Sequence, residues 1–161
     1  MGGSGLPRRV SSGNRGVRVA IFGPLPSQVR QMRAWCRNGV SVDPLRALRV
    51  ELVASELATN ALTHSASGQA CGHIRVEMES LPGRLVRISV TDDGPRPGHT
   101  VCLPRLSPEV DALAVCGRGL RLVDRLSVEW GWNGEPGTPL TVWAHIDPYA
   151  PVPDPDDAVA A

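Results

Sequence analysis

"SVDPLRALRVELVASELATNALTHSASG", residues 41–68, decides the fold. Asp43 suits a helix N-cap and Pro44 the first helical position, because the first amides of a helix have no intrahelical acceptor and proline has none to lose. From there Leu45, Leu48, Leu52, Val53 and Leu57 recur at three- and four-residue steps, which predicts the apolar stripe of a long helix, with Gly68 just past its end. A polar stripe accompanies it. Glu56, Asn60 and His64 are spaced i, i+4, i+8 and look toward one place.

The flanking segments supply the other elements. "VRVAIFG" (17–23) alternates and reads as a strand, and "PSQVRQMRAWCRNG" (26–39) reads as a helix with Ser27 as N-cap and Gly39 as the stop. "HIRVEMES" (73–80) and "RLVRISVTD" (84–92) alternate around "LPG", an antiparallel hairpin turned by Pro82 and Gly83. The Pro-rich "DDGPRPGHTVCLPRLSP" (92–108) is too irregular for regular structure and long enough for a binding loop. A short helix from about Pro108 to Val115 is expected next. "CGRGLRLVDRLSVEWGW" (116–132) then continues as a helix to Leu126 and a strand, and "PGTPLTVWAHI" (136–146) closes with a last strand. The order β-α-α-β-β-loop-α-β-β predicts an α+β fold: a two-layer sandwich with the helices on one face of a mixed, mainly antiparallel sheet.

Composition bounds the function. A chain of 161 residues, 42% hydrophobic and 20% charged, is globular and long enough for one sizeable core. The Gly/Ser/Arg-rich residues 1–16 read as a flexible arm, 17–147 as the domain, and 148–161 as a disordered Pro/Asp-rich tail. A formal net charge of +1 offers no broad attraction for nucleic acid. No apolar run of about 18 residues spans a bilayer and no apolar export segment opens the chain, so a cytoplasmic protein without a membrane partner is expected. Cys36, Cys71, Cys102 and Cys116 form no C-x-x-C pair, and no structural metal cage is predicted from them.

Three clusters can carry chemistry. On the long helix, Asn60 offers a hard neutral oxygen for Mg²⁺, which keeps most of its waters and phosphate ligands, and Glu56, one turn away, can take a proton from an attacking hydroxyl. In "SVTDDGPRPG" (89–98), Asp92 ends an apolar strand where a carboxylate can accept from the exocyclic amine of adenine, and Gly94 lets a flat base approach the backbone. Asp93 is expected to be exposed. In "GRGL" (117–120), Gly117 and Gly119 can turn their amides toward phosphate at a helix N-terminus, with Arg118 adding charge. Each cluster alone also has a plainer reading: a solvated helix face that ends at His64, an Asp-Gly turn, a glycine-rich helix cap. Their order decides between the two.

In that order, "SELATNALTH" (55–64) resembles the N box, "VTDDGPRPG" (90–98) the first glycine box and "GRGLRLVDRL" (117–126) the second glycine box of the GHKL ATPase/kinase superfamily. The chain is most similar to its short, single-domain branch of anti-sigma factor serine kinases and actinobacterial ATP-binding regulators, across residues 17–146. "LTVWAHI" (140–146) resembles that branch's last strand. The resemblance implies a Bergerat-type ATP-binding fold, ATP and Mg²⁺ as cofactors, Glu56 as general base and Asn60 as the Mg²⁺ ligand. It places Asp92 with Gly94 at adenine, Gly117, Arg118, Gly119 and Leu120 in the ATP lid, and Thr141 at the adenine pocket through its hydroxyl. His64 matches a position often filled by His after the N box and supports the site from behind.

Two departures are visible. Arg96 stands where D-x-G-x-G has its second glycine, and the second box keeps only a G-R-G core. The branch implies a serine/threonine kinase that phosphorylates an anti-sigma-antagonist protein of STAS type, or sequesters a sigma factor, and so regulates transcription; a homodimer stays open. The alternative is a catalytically inactive GHKL-like binding module that works by partner sequestration.

Overall fold

A computed structural model of the chain describes residues 8–10, 16–99, 101, 103–106 and 118–151. Among these residues six strands form one sheet in the order β1-β2-β3-β4-β6-β5, with β1 at Arg8–Val10, β2 at Val17–Phe22, β3 at Ile74–Ser80, β4 at Val86–Thr91, β5 at Glu129–Asn133 and β6 at Thr141–Ile146. Every neighbouring pair is antiparallel, so the sheet is uniform where a mixed one was expected. The α+β, two-layer architecture is as the sequence predicted. Arg8–Val10 pair along β2 inside the stretch read as an arm. The expected helix from Pro108 to Val115 lies outside the described residues.

Alternation builds the two layers. Ala20, Phe22, Ile74, Val76, Ile88, Val90, Ala144 and Ile146 are buried and point to one side, while the positions between them, such as Arg75, Glu77, Arg87 and His145, face the other and remain partly exposed. Only the apolar side needs a cover. Among the described residues three helices supply it: α1 (Pro26–Arg37), α2 (Pro44–His64) and α3 (Arg118–Leu126).

The starts of α1 and α2 follow different rules. Pro26 opens α1 after Leu25, which caps with no side-chain hydrogen bond; Ser27 lies one residue inside, so it is not the N-cap the sequence suggested. Proline's fixed φ sets the entry there without a capping side chain. At α2 Asp43 does cap, accepting from the Arg46 amide at 3.1 Å.

The buried face of α2 differs from the leucine stripe. Leu45, Leu48 and Leu52 are 78%, 45% and 39% exposed, whereas Ala47, Val50, Val53, Ala54, Leu57, Ala58 and Ala61 are buried. The physical reason is crowding: α1 and α3 both pack along α2 and the sheet lies beneath, so the positions facing them must be small enough for close approach. Arg49 is buried too. Its guanidinium donates to the carbonyls of Leu126, Ala150 and Pro151, and Tyr149 lies against the Arg46 and Arg84 guanidiniums at 4.3 and 5.3 Å. The start of the segment read as tail is therefore held against the domain through residue 151.

Candidate functional site

Glu56 and Asn60 lie one turn apart on the side of α2 that meets the start of α3. A Cβ placed on Gly119 would lie 2.5 Å from Glu56 Oε2 and 3.7 Å from Asn60 Oδ1, so with any larger residue there the Glu56 carboxylate would have to move. α3 is described from Arg118 onward, and Gly119 lies at that end beside these two side chains. A carboxylate and an amide oxygen thus share one corner with Gly119, an arrangement suited to a hard cation that also binds phosphate. The Asn60 amide nitrogen is buried with no hydrogen-bond partner among the described residues. Buried polar groups are normally paired, so this amide is set toward a group the described chain does not supply.

These residues fit Mg²⁺ in donor type, an amide oxygen beside a carboxylate. No group of three or more His, Cys, Asp or Glu side chains able to hold a metal occurs among the described residues. A cation at Asn60 would draw its remaining ligands from phosphate and water.

The second half of the site follows β4. Asp92 shares the helix-covered side of the sheet with Ile88 and Val90, by alternation. Its Oδ1 accepts from the amides of Gly94 at 2.7 Å and Leu140 at 3.1 Å, which leaves Oδ2 as the acceptor for a ligand. Burial pushes the Asp92 carboxyl above the usual aspartate range; the Leu140 and Gly94 amides pull it back and the Asp93 charge adds to the rise. Gly94 is buried at φ 87°, and a Cβ there would approach Pro139 N to 3.3 Å. Its backbone angle calls for glycine, and its surroundings leave a side chain little room.

Backbone bonds tie the two halves together. The Ala66 amide donates to Gly94 O at 2.8 Å, the Asp93 amide to Ser67 Oγ at 2.8 Å, and Arg96 reaches the last turn of α2. The loop after β4 and the end of α2 form one unit.

Other expected residues fall differently. The Thr141 hydroxyl lies 2.8 Å from the Thr91 hydroxyl, and both residues belong to the alternate positions that face away from the helices, so Thr141 does not line the pocket side. Leu140 does: it is 6% exposed and its amide holds Asp92. Asp93, expected in solvent, is partly buried; its Oδ2 accepts from the His73 amide at 2.7 Å and lies 3.3 Å from His73 Nδ1. His64 is exposed as the final residue of α2. Leu120 is buried within α3. Gly117 and the Arg118 side chain lie outside the described residues.

Sequence reading missed Ser65, Ser67, Arg96 and Leu140, which act by joining distant segments. The only sequence signal for them is Arg96 standing in a glycine's place.

A family model described as histidine kinase-like ATPase domain matches residues 22–143. No curated protein matches. Among solved structures, the histidine kinase domain from the Erythrobacter litoralis EL346 blue-light activated histidine kinase is similar at 24% identity and a TM-score of 0.48, over 77% of this chain and 65% of that one.

Proposed function

Because the chain belongs to the histidine kinase-like ATPase family, we propose that it binds Mg-ATP and transfers the γ-phosphoryl to a serine or threonine of an anti-sigma-antagonist protein of STAS type, and that it also sequesters a sigma factor. One observation carries the reading: Glu56, Asn60 and the described start of α3 converge at the Gly119 contact, and hydrogen bonds join the segment just after α2 to the loop bearing Asp92.

The chain's own groups divide the work. Asp92 Oδ2 accepts from the exocyclic amine of adenine, and Gly94, without a side chain, lets the base lie against the backbone. Asn60 Oδ1 would hold the cation, which when bound supplies charge neutralisation for the phosphates. The amides opening α3 take phosphate oxygens. Glu56 accepts the proton of the attacking hydroxyl as its oxygen bonds to the γ-phosphorus and the bond to the bridging oxygen of ADP breaks; positioning and charge stabilisation supply most of the acceleration.

The test is transfer of labelled phosphate from ATP to a cognate antagonist. Glu56→Ala is expected to bind Mg-ATP but to lose about 10²- to 10⁴-fold in transfer. A wild type that shows no transfer and no ATP-induced thermal shift would end this reading. A second reading, a sequestering module with weak or no nucleotide binding, draws on Arg96 in the glycine's place. Tight Mg-ATP binding abolished by Asn60→Ala contradicts it.

A further inference from the structure

The last turn of a helix leaves four carbonyls without amide partners. In α2, Ala61 O accepts from Ser65 N at 3.2 Å and Ser65 Oγ at 2.7 Å. Leu62 O and Thr63 O accept from Arg96 Nη2 at 3.1 and 2.8 Å, and Ser65 O accepts from Arg96 Nε at 2.9 Å. A guanidinium from the loop that bears Asp92 therefore closes the helix that bears Asn60, at the negative end of its dipole. Gly68 completes the fit, since a Cβ there would lie 2.0 Å from Leu62 O and 3.2 Å from Arg96 Nη2. A glycine at position 96 would leave these carbonyls without that donor.

We propose that Arg96 is a positioning residue that locks the base-binding loop to the end of α2, so that Asp92 and Asn60 hold the two ends of one nucleotide in register. The proposal rests on the reading of this corner as an ATP site. Asp92 keeps its bonds to Gly94 and Leu140 without Arg96, and Asn60 sits a full turn before the helix end. Each half can therefore act alone; the Ala66–Gly94 and Asp93–Ser67 bonds join the loop to the segment after α2, and what Arg96 adds is the tie to the last turn of α2 itself.

The experiment compares full-length wild type, Arg96→Ala and Arg96→Lys by calorimetric titration with adenosine, with ATP in EDTA and with Mg-ATP. Arg96→Ala is expected to bind adenosine and metal-free ATP as the wild type does, while the gain in affinity from Mg²⁺ falls about tenfold or more, as when a group that orients a metal ligand is removed. Arg96→Lys recovers part of that gain, since an ammonium still donates to the carbonyls. Amide exchange at residues 62–68, measured without nucleotide, is expected to quicken in Arg96→Ala and to stay nearer the wild type in Arg96→Lys.

An unchanged Mg²⁺ gain in Arg96→Ala, or an equal weakening of all three ligands, overturns the proposal. Should Arg96→Ala not fold, Arg96→Gln is measured in the same way. A wild type that binds no adenine nucleotide overturns the ATP reading and the nucleotide role of Arg96 together; in that case the exchange data show independently whether Arg96 ties loop to helix.

Discussion

Asp92 meets two opposing demands, because the partial burial that strengthens a charge-assisted bond to a base also penalises its charge. Burial raises its carboxyl above the ordinary value of 3.8, so the folded state holds the proton more tightly than the unfolded chain. This contribution to stability is full below the ordinary value and is lost as pH rises through the raised one. Binding runs the opposite way, since only the carboxylate accepts with full charge. Affinity for an adenine nucleotide is expected to fall as pH is lowered through the raised value. Asp92→Asn should bind about tenfold or more weakly at neutral pH, matching ~1.5–3 kcal/mol for a charge-assisted bond, and show no such pH dependence in that window; titrations at several pH values check both. At Gly119 the expectation is steric. Gly119→Ala sets a methyl 2.5 Å from Glu56 Oε2, displaces that carboxylate and should lower phosphate transfer more than it lowers adenosine affinity, which the same assay and titration read out. These glycines and acids stand out as candidates in the sequence because their chemistry is local. Thr141 was misplaced even though the alternation of Leu140, Val142, Ala144 and Ile146 sets it on the other face; register decides only that its neighbour there is Thr91.

At the scale of the element, α2 separates what periodicity tells from what it conceals. Asp43 and Pro44 mark its start, and Asp43→Ala should cost about 1 kcal/mol in urea unfolding. Its leucines mislead. A stripe of Leu45, Leu48 and Leu52 has more hydropathy than one rich in alanine, yet the alanine-bearing face is buried because three neighbours crowd it. Leu57→Ala is therefore expected to cost ~2–5 kcal/mol, whereas Leu45→Ala, at 78% exposure, should stay within about 0.5 kcal/mol. Equal losses at the two sites would restore the leucine stripe as the core face. The cap of α2 at its other end was illegible for a different reason: its donor, Arg96, comes from more than thirty residues downstream.

For the whole molecule, the nucleotide reading implies linkage between ligand and fold, since a ligand that binds only the folded state stabilises it. Mg-ATP at a hundred times its dissociation constant adds about 2.7 kcal/mol, which for a chain of this size raises the melting midpoint by roughly 5–10 °C. Asn60→Ala should abolish most of that shift in a thermal melt. No helix among the described residues is long and apolar enough to cross a membrane. By itself the sequence marked out β2 to β6, α1 to α3 and the two-layer class, and singled out Glu56, Asn60, Asp92 and Gly119 as candidates, because alternation, capping and side-chain chemistry act over a few residues. Only the tertiary structure decided which face of α2 is buried, that Leu140 rather than Thr141 stands beside Asp92, and that Arg96 joins the two halves of the site. Those outcomes depend on contacts between segments far apart in the chain, set by sheet register and by how closely three helices can pack over one sheet.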